Sequence, residues 1–275
     1  MARARVLGRA DLPAVAALLD TDPIAGCPIA ARIEAAADHP GRLGGDLWGY
    51  GDPLSAVCLS AANLVPIAAG PAAVGAFAQR AVAQGRRCSS IVGRTAYVEP
   101  LWRALEPDWG PARVIRARQP LLAINVEPLV DSDPAIRRVR EDELDLLMPA
   151  CVRMFTEEIG VSPVGFDGGA LYRARILDLV SAGRAFARIE NGTVVFKAEI
   201  GVVARAGCQL QGVWVDPDHR GRGYGARGIA AVVRAARAEV APVVSLYVND
   251  FNTAARAVYT RVGFDEVGMF TSVMF

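Results

Sequence analysis

Histidine is almost missing from this 275-residue chain, which contains only His39 and His219. A histidine-based metal site and a Ser-His-Asp triad therefore have few residues to use. The five cysteines are odd in number, widely spaced and contain no C-x-x-C pair, so neither a disulfide framework nor a zinc cluster is indicated. We expect reduced, mostly buried thiols and no bound metal.

The chain also lacks an excess of charge of one sign. It has 30 basic and 29 acidic residues and a net charge of +1, so no general attraction to nucleic acid or to an anionic membrane is expected. No apolar run approaches the roughly 20 residues that span a bilayer. No apolar segment of signal-peptide length precedes Asp11 and Pro13. We expect a cytoplasmic protein without nucleic-acid or membrane partners, and a homodimer is compatible with the sequence.

Apolar residues make up 52% of the chain, which is ample for one large domain or two of ordinary size. A Pro-rich, acidic stretch, NVEPLVDSDPAI, predicts a division into domains at 1–130 and 135–275. The first half weakly repeats the order of elements predicted for the second. Either an ancient duplication or the ordinary alternation of any α/β domain explains that repetition.

The second half alternates between helical and strand periodicity, which predicts a mixed α/β fold. Helices are expected over Glu141–Ile159 and Ala170–Ser181, followed by a hairpin turning at Asn191-Gly192. The strand CQLQGVWV, a glycine loop, a helix and the apolar strand PVVSLYV then form a βαβ unit with parallel strands. A short helix from Asn252 follows, and GFDEVGMFTSVMF predicts one or two short strands.

The glycine loop HRGRGYGARG predicts a phosphate site. Backbone N–H groups between a strand and a helix are free to bind an anion, and glycine lets a ligand approach them closely. The letters also match the dinucleotide fingerprint G-x-G-x-x-G, with Asp250 as the ribose-binding acid. That alternative is weaker, because five residues separate Val215 from the loop's first glycine and too little chain follows Asp250 to complete such a fold.

Two linked motifs resemble those of the GNAT acetyltransferase superfamily. The stretch VWVDPDHRGRGYG is similar to the family's V-x-V-x-P followed by R-x-x-G-x-G/A, and NTAARAVYTRVGF is similar to N-x-x-A-x-x-x-Y-x-x-x-G-F. The matching residues are Val213, Val215, Pro217, Arg220, Gly223, Gly225, Asn252, Ala255, Tyr259, Gly263 and Phe264. The resemblance covers residues 135–275, and the whole chain resembles a two-domain, actinobacterial-type member with a divergent N-terminal domain.

This resemblance implies a GNAT-like acyl-CoA-binding domain in which two central parallel strands, ending near Val215 and Val248, splay apart. Acetyl-CoA is then the acyl-donor cosubstrate. The implied cofactor-binding residues are Val213, Trp214, Val215, Arg220, Gly221, Arg222, Gly223, Tyr224, Gly225, Ala226, Asn252, Ala255 and Tyr259. Asn252 is interpreted both as a helix cap and as a cofactor neighbour.

Tyr259 matches the family position whose hydroxyl protonates, or hydrogen-bonds to, the departing CoA thiolate. A tyrosine that only packs in the core is the alternative. Glu199 is the candidate for the base that deprotonates the acceptor, since an unpaired acid in an apolar strand would be costly. It could equally face solvent or pair with Lys197. Weaker candidates are Glu157, Glu158 and the C-terminal carboxylate, and a water chain could replace them all.

The resemblance predicts an acetyl-CoA-dependent N-acetyltransferase that moves an acetyl group to a primary amine, of a small molecule or a protein, by direct attack in a ternary complex. The alternative is a non-catalytic acyl-CoA-binding sensor or interaction protein. The loop GVSPVGFDGG is expected to border the acceptor site. The first half has Ala-Gly-Pro-Ala-Ala in place of the glycine motif, so if it is a degenerate copy of the same fold, we expect it to have lost cofactor binding.

Overall fold

The computed structural model describes residues 3–38, 43–165 and 168–275. The described part of the first half runs strand, two helices, three strands, helix, strand, helix, strand. These elements are β1 (Arg5–Val6), α1 (Leu12–Leu19), α2 (Pro23–Asp38), β2 (Asp46–Tyr50), β3 (Ala56–Ser60), β4 (Asn63–Ile67), α3 (Pro71–Gln84), β5 (Ser90–Arg94), α4 (Thr95–Trp109) and β6 (Val114–Ile124).

The second half repeats that order element for element. Its elements are β7 (Arg137–Arg138), α5 (Leu144–Ile159), α6 (Ala170–Ser181), β8 (Ala185–Glu190), β9 (Thr193–Ala204), β10 (Gly207–Val215), α7 (Tyr224–Glu239), β11 (Val244–Tyr247), α8 (Thr253–Val262) and β12 (Asp265–Met274). The identical order favours duplication over coincidental alternation and confirms the mixed α/β class.

Most boundaries in the second half follow the local signals. The hairpin between β8 and β9 turns at Asn191 and Gly192, whose φ angles are 49° and 75°, as a two-residue turn of this kind requires. The segment expected as one or two short strands is one strand of ten residues. That strand is long because it pairs on both edges, first with β6 and then with β5 as well.

Within the described residues the strands form one twelve-stranded sheet in the order β1-β2-β3-β4-β5-β12-β6-β11-β10-β9-β8-β7. The last strand of each half lies inside the other half's sheet: β12 pairs with β5, and β6 pairs with β11. The two halves on either side of the proposed division between 130 and 135 therefore exchange their last strands, β6 and β12.

Helices cover both faces of the sheet, and the exchanged strands contribute to both cores. The core beneath α7 and α8 includes Leu122 and Ile124 of β6. The core beneath α1 and α2 includes Phe270 of β12, and the core beneath α3 and α4 includes Val273. Burying these side chains couples the folding of the two halves, because each fully buried aliphatic or Phe side chain contributes about 1.5–3 kcal/mol.

No helix in the described ranges is both long enough and apolar enough to cross a bilayer. Of the two histidines, His219 is described, whereas His39 lies outside the described residues.

Candidate active site

The parallel strands β10 and β11 separate towards their carboxyl ends. They pair only at Cys208 with Val244 and at Gln209 with Ser245, although β10 continues to Val215. The Asp216 N–H donates to a carbonyl of β9 at 3.0 Å. Because successive N–H groups of a strand point to opposite edges, the N–H of Val215 points away from β9, towards the opening.

A β-bulge in β10 lies just before the opening. Gln211 pairs with Glu199 and Trp214 pairs with Lys197, so β10 has one residue more than β9 over this interval. Gly212 has φ +60°, a conformation that suits glycine. A bulge of this kind bends the strand and leaves one residue outside the ladder. In β10 the bend lies at Val213–Val215, the segment predicted to bind the cofactor.

The glycine loop presents an unusual number of unpaired amides. Gly221 and Gly223 have φ angles of 75° and 83°, and a Cβ added to either would meet no atom within 4 Å. Among the described residues, no protein group accepts a hydrogen bond from the six consecutive N–H groups of Gly221 through Ala226. They stand at the positive end of the 16-residue helix α7, which makes this surface suited to a phosphate group.

The residues that follow the loop anchor α7. The Tyr224 hydroxyl lies 3.4 Å from a carboxylate oxygen of Glu190. Gly225 lies against Val215 and α8, with its Cβ position 3.6 Å from the Val215 side chain, and Ala226 is buried in the core. Arg222 is exposed beside the open amides. The first turn of α7 is thereby held at the end of β10.

Arg220 is already engaged by protein groups. Its guanidinium donates to the Val215 carbonyl at 3.1 Å and to Glu157 at 2.8 Å. Before it, the Asp216 carboxylate accepts from the N–H of Asp218 and contacts the His219 ring, which lowers the pKa of Asp216. Arg220 thus links the end of β10 to α5 through its two hydrogen bonds.

The second motif begins α8 and places a phenol in the core. Asn252 caps the helix, because its side-chain oxygen accepts from the Ala255 N–H at 3.1 Å. Ala255 is half-buried. Tyr259 is 6% exposed and packs on Phe264, and burial raises the pKa of its hydroxyl. Among the described residues no group forms a hydrogen bond with that hydroxyl, which is left available to a ligand.

Glu199 pairs with Lys197, one of the arrangements that the sequence left open. Lys197 and Glu199 are 0% and 3% exposed, and the ammonium lies 2.6 Å from the carboxylate. The same ammonium donates to the Gly212 carbonyl at 2.9 Å, and Gln211 donates to the other oxygen of Glu199 at 3.1 Å. Both oxygens of the Glu199 carboxylate are thus engaged by protein donors, and the role of Glu199 as a base stays a prediction.

The weaker carboxylate candidates lie in three different settings. Glu157 bonds to Arg220 and to the Trp214 indole N–H, which is 3.4 Å away. Glu158 is bridged by Arg116. The ring of Phe275 packs on the tryptophans of α4 in the first half.

Of the predicted loop 160–169, residues 166 and 167 lie outside the described residues. Within the described ranges no three His, Cys, Asp or Glu side chains could hold a metal ion.

The first half contributes a residue that the sequence did not indicate. Arg116 lies on β6, and its guanidinium reaches the carboxylate and the carbonyl of Glu158 at the end of α5. The Arg116 side chain is only 12% exposed. No local signal could have shown this, because it depends on the exchange of β6 into the second half's sheet.

Lys197 was missed as a site residue although a signal was present. It is the only lysine among the 30 lysine and arginine residues of the chain. Where every other basic position is an arginine, a single buried lysine indicates a place that accepts a compact ammonium and no guanidinium.

The corresponding loop of the first half offers fewer free amides than the glycine loop. Pro71, the first residue of α3, has no N–H, and the N–H of Gly70 is bonded to the Ala68 carbonyl at 3.0 Å. Strands β4 and β5 also pair at only two positions, but beyond them the Cβ position of Gly93 is still 3.5 Å from the Pro66 carbonyl oxygen. The buried residues of α4 include no tyrosine. These features support the predicted loss of cofactor binding in this half.

Comparison with known families agrees with this geometry. Residues 154–264 match the model of the acetyltransferase (GNAT) family. The C-terminal half is a GNAT-family domain. The match includes the bulge, the glycine loop and all of α8, and membership implies acyl transfer from an acyl-CoA. Residues 45–147 match a domain family of unknown function, DUF4081, whose span runs past the division at residue 130.

Solved structures resemble the whole chain, so the GNAT-like fold extends beyond the C-terminal match. A GNAT-family acetyltransferase from Colwellia psychrerythraea is 14% identical, with a TM-score of 0.55 and 99% of each chain covered. A Drosophila protein is 12% identical, with a TM-score of 0.66, over 100% of this chain and 99% of its own. A GCN5-related N-acetyltransferase from Kribbella flavida is 18% identical, with a TM-score of 0.53, over 90% and 95%. No curated protein matches the chain. At these identities the likeness concerns the fold.

Proposed function

We propose that this protein is a cytoplasmic N-acetyltransferase, in which the C-terminal half transfers an acetyl group from acetyl-CoA directly to a primary amine in a ternary complex. The observation that carries the proposal is the row of six unpaired N–H groups from Gly221 to Ala226, set at the start of α7. The family supports acyl-CoA as donor, while the acetyl group, the amine and the direct attack are our inference.

The donor fits the residues that are present. The N–H groups of the loop would hold the pyrophosphate, and the open space above Gly221 and Gly223 would let it approach. The free edge of β10 at Val213–Val215 would hold the pantetheine arm. When bound, acetyl-CoA supplies an acyl group activated as a thioester.

Two groups of the chain would assist the transfer. The N–H of Val215 faces the opening and would stabilise negative charge that develops on the thioester oxygen. The Tyr259 hydroxyl would donate to the departing sulfur. Its raised pKa keeps the phenol protonated at neutral pH, and its hydroxyl has no competing acceptor among the described residues.

The test separates binding from chemistry. Calorimetry with acetyl-CoA measures Kd, and thiol release is then followed over a panel of small amines, lysine peptides and peptide N-termini. Binding with acceptor-dependent thiol release is the expected result. Binding with no release across the panel would favour the non-catalytic sensor, and no binding of any acyl-CoA would overturn both functions.

A matched pair of glycine variants tests the loop. Gly221→Ala places a Cβ on a residue with φ +75°, which costs roughly 1–2 kcal/mol. The free loop would relax to avoid that cost and would have to regain this conformation to bind, so we expect Kd for acetyl-CoA to rise about tenfold. Gly70→Ala is the control: its φ is −62° and its Cβ would meet nothing within 4 Å, so Kd should not change. Equal Kd values for the two variants would contradict the assignment of the loop.

A further inference from the structure

We infer that Lys197 is a positioning residue for acyl transfer: by holding the bulge of β10 it directs the N–H groups of Val213 and Val215 into the opening beside β11. This inference rests on the proposed function. It concerns how the free edge of β10 acquires its shape, which neither sequence motif specifies.

The bulge creates a hydrogen-bonding problem that Lys197 solves. The extra residue between Gln211 and Trp214 takes the Gly212 carbonyl out of the regular ladder. A carbonyl that is partly buried needs a donor, and the Lys197 ammonium supplies one at 2.9 Å. The lysine therefore stabilises the bulged conformation selectively, since a regular strand would satisfy that carbonyl with a backbone N–H.

Glu199 keeps the ammonium charged and aimed. Its carboxylate lies 2.6 Å from Lys197, and a buried ammonium without such a partner would be costly. It also limits residue 212 to glycine: a Cβ there would lie 2.9 Å from all three carboxyl atoms of Glu199. Lys197, Glu199 and Gly212 together stabilise the bulged conformation of β10.

The identity of the basic residue supports a specific role. The chain uses arginine at every other basic position, yet this buried position holds its one lysine. A guanidinium would bring five N–H donors in a rigid fork, whereas the acceptors shown here are one carboxylate oxygen and one carbonyl.

The experiment uses the full chain with both charges removed together. Lys197→Met alone would leave Glu199 buried and unpaired and could prevent folding, so the decisive variant is Lys197→Met with Glu199→Met. We expect it to fold, to lose at least tenfold in kcat, and to bind acetyl-CoA up to about tenfold more weakly, because the Val213–Val215 edge is displaced while the loop amides that would hold the pyrophosphate are unchanged. Gly212→Ala keeps the Glu199 carboxylate and should lower kcat in the same way, because it disturbs the bulge from the other side.

A spectroscopic readout and a matched control complete the test. In protein labelled with ¹⁵N-valine, the amide signals of Val213 and Val215 should shift in the double variant. Removing the half-buried pair of the first half, with Arg94→Met and Asp22→Asn, should leave both kcat and these signals unchanged.

A folded double variant with wild-type kcat and unshifted Val213 and Val215 signals would overturn the inference. Failure of the proposed function has a different signature, because wild type itself would then release no thiol. In that case the amide signals still decide whether Lys197 holds the bulge.

Discussion

Replacing Tyr259 with phenylalanine should lower kcat without lowering stability. The hydroxyl has no hydrogen-bond partner among the described residues, and the ring is retained on Phe264, so folding loses little. The expected cost to catalysis follows from the pKa, which burial raises above the ordinary value of 10.0. A thiol has a pKa near 8.5, so full proton transfer from such a phenol to the thiolate is uphill.

The hydroxyl is therefore expected to act mainly as a hydrogen-bond donor to the developing thiolate. A hydrogen bond to a charged group is worth about 1.5–3 kcal/mol, which corresponds to a loss of roughly 10- to 150-fold in kcat. Because the pKa is raised, the wild-type enzyme should show no loss of kcat from Tyr259 ionisation below about pH 10. Thiol release measured from pH 6 to 9.5, with a saturating amine, gives both quantities.

Tyr172→Phe is the matched control in the same half. Its hydroxyl donates to the Cys151 carbonyl at 3.0 Å, so removing it should cost about 1 kcal/mol of stability, or roughly 2–4 °C in Tm, while kcat is retained. If Tyr259→Phe kept wild-type kcat, or if the two variants had the same effects, the assigned role of Tyr259 would be wrong.

Three further predictions concern stability and the acceptor side. Gly228→Ala places a Cβ 2.7 Å from the ring of Phe196. The resulting overpacking costs about 1–3 kcal/mol, which should exceed the stability that alanine usually adds to a helix, so Tm should fall while Kd for acetyl-CoA stays unchanged. A higher Tm would contradict this. The Arg137 guanidinium lowers the pKa of Glu143 to about 2 from 4.5, so this stabilisation is complete above pH 4.5 and is lost towards pH 2. Thermal melts should therefore show the deficit of Glu143→Gln shrinking between pH 7 and 3, and a constant deficit would refute it. The loop expected to border the acceptor site follows α5, whose end is held by Arg116. Arg116→Met should therefore raise KM for the acceptor at least threefold with little change in Kd for acetyl-CoA, and an unchanged KM would exclude Arg116 from the acceptor side.

The amino-acid sequence by itself determined the local elements and the residues of the two motifs. Helix periodicity set α5 and α6, Asn191-Gly192 set the hairpin, and Asn252 set the start of α8. The glycines at positions 221 and 223 permit the positive φ angles of the loop. These features depend on neighbours a few residues away, and a short stretch of sequence contains all of the information.

Only the tertiary structure decided which strands pair and which way a buried side chain faces. The exchange of β6 and β12 joins segments that lie far apart in the chain, and hydrophobic patterning is the same whether a strand completes its own half or the other. Glu199 was compatible with solvent, a catalytic site or Lys197 until the bulge of β10 placed the ammonium between the carboxylate and Gly212. Such contacts depend on register and strand order, which are non-local properties of the folded chain.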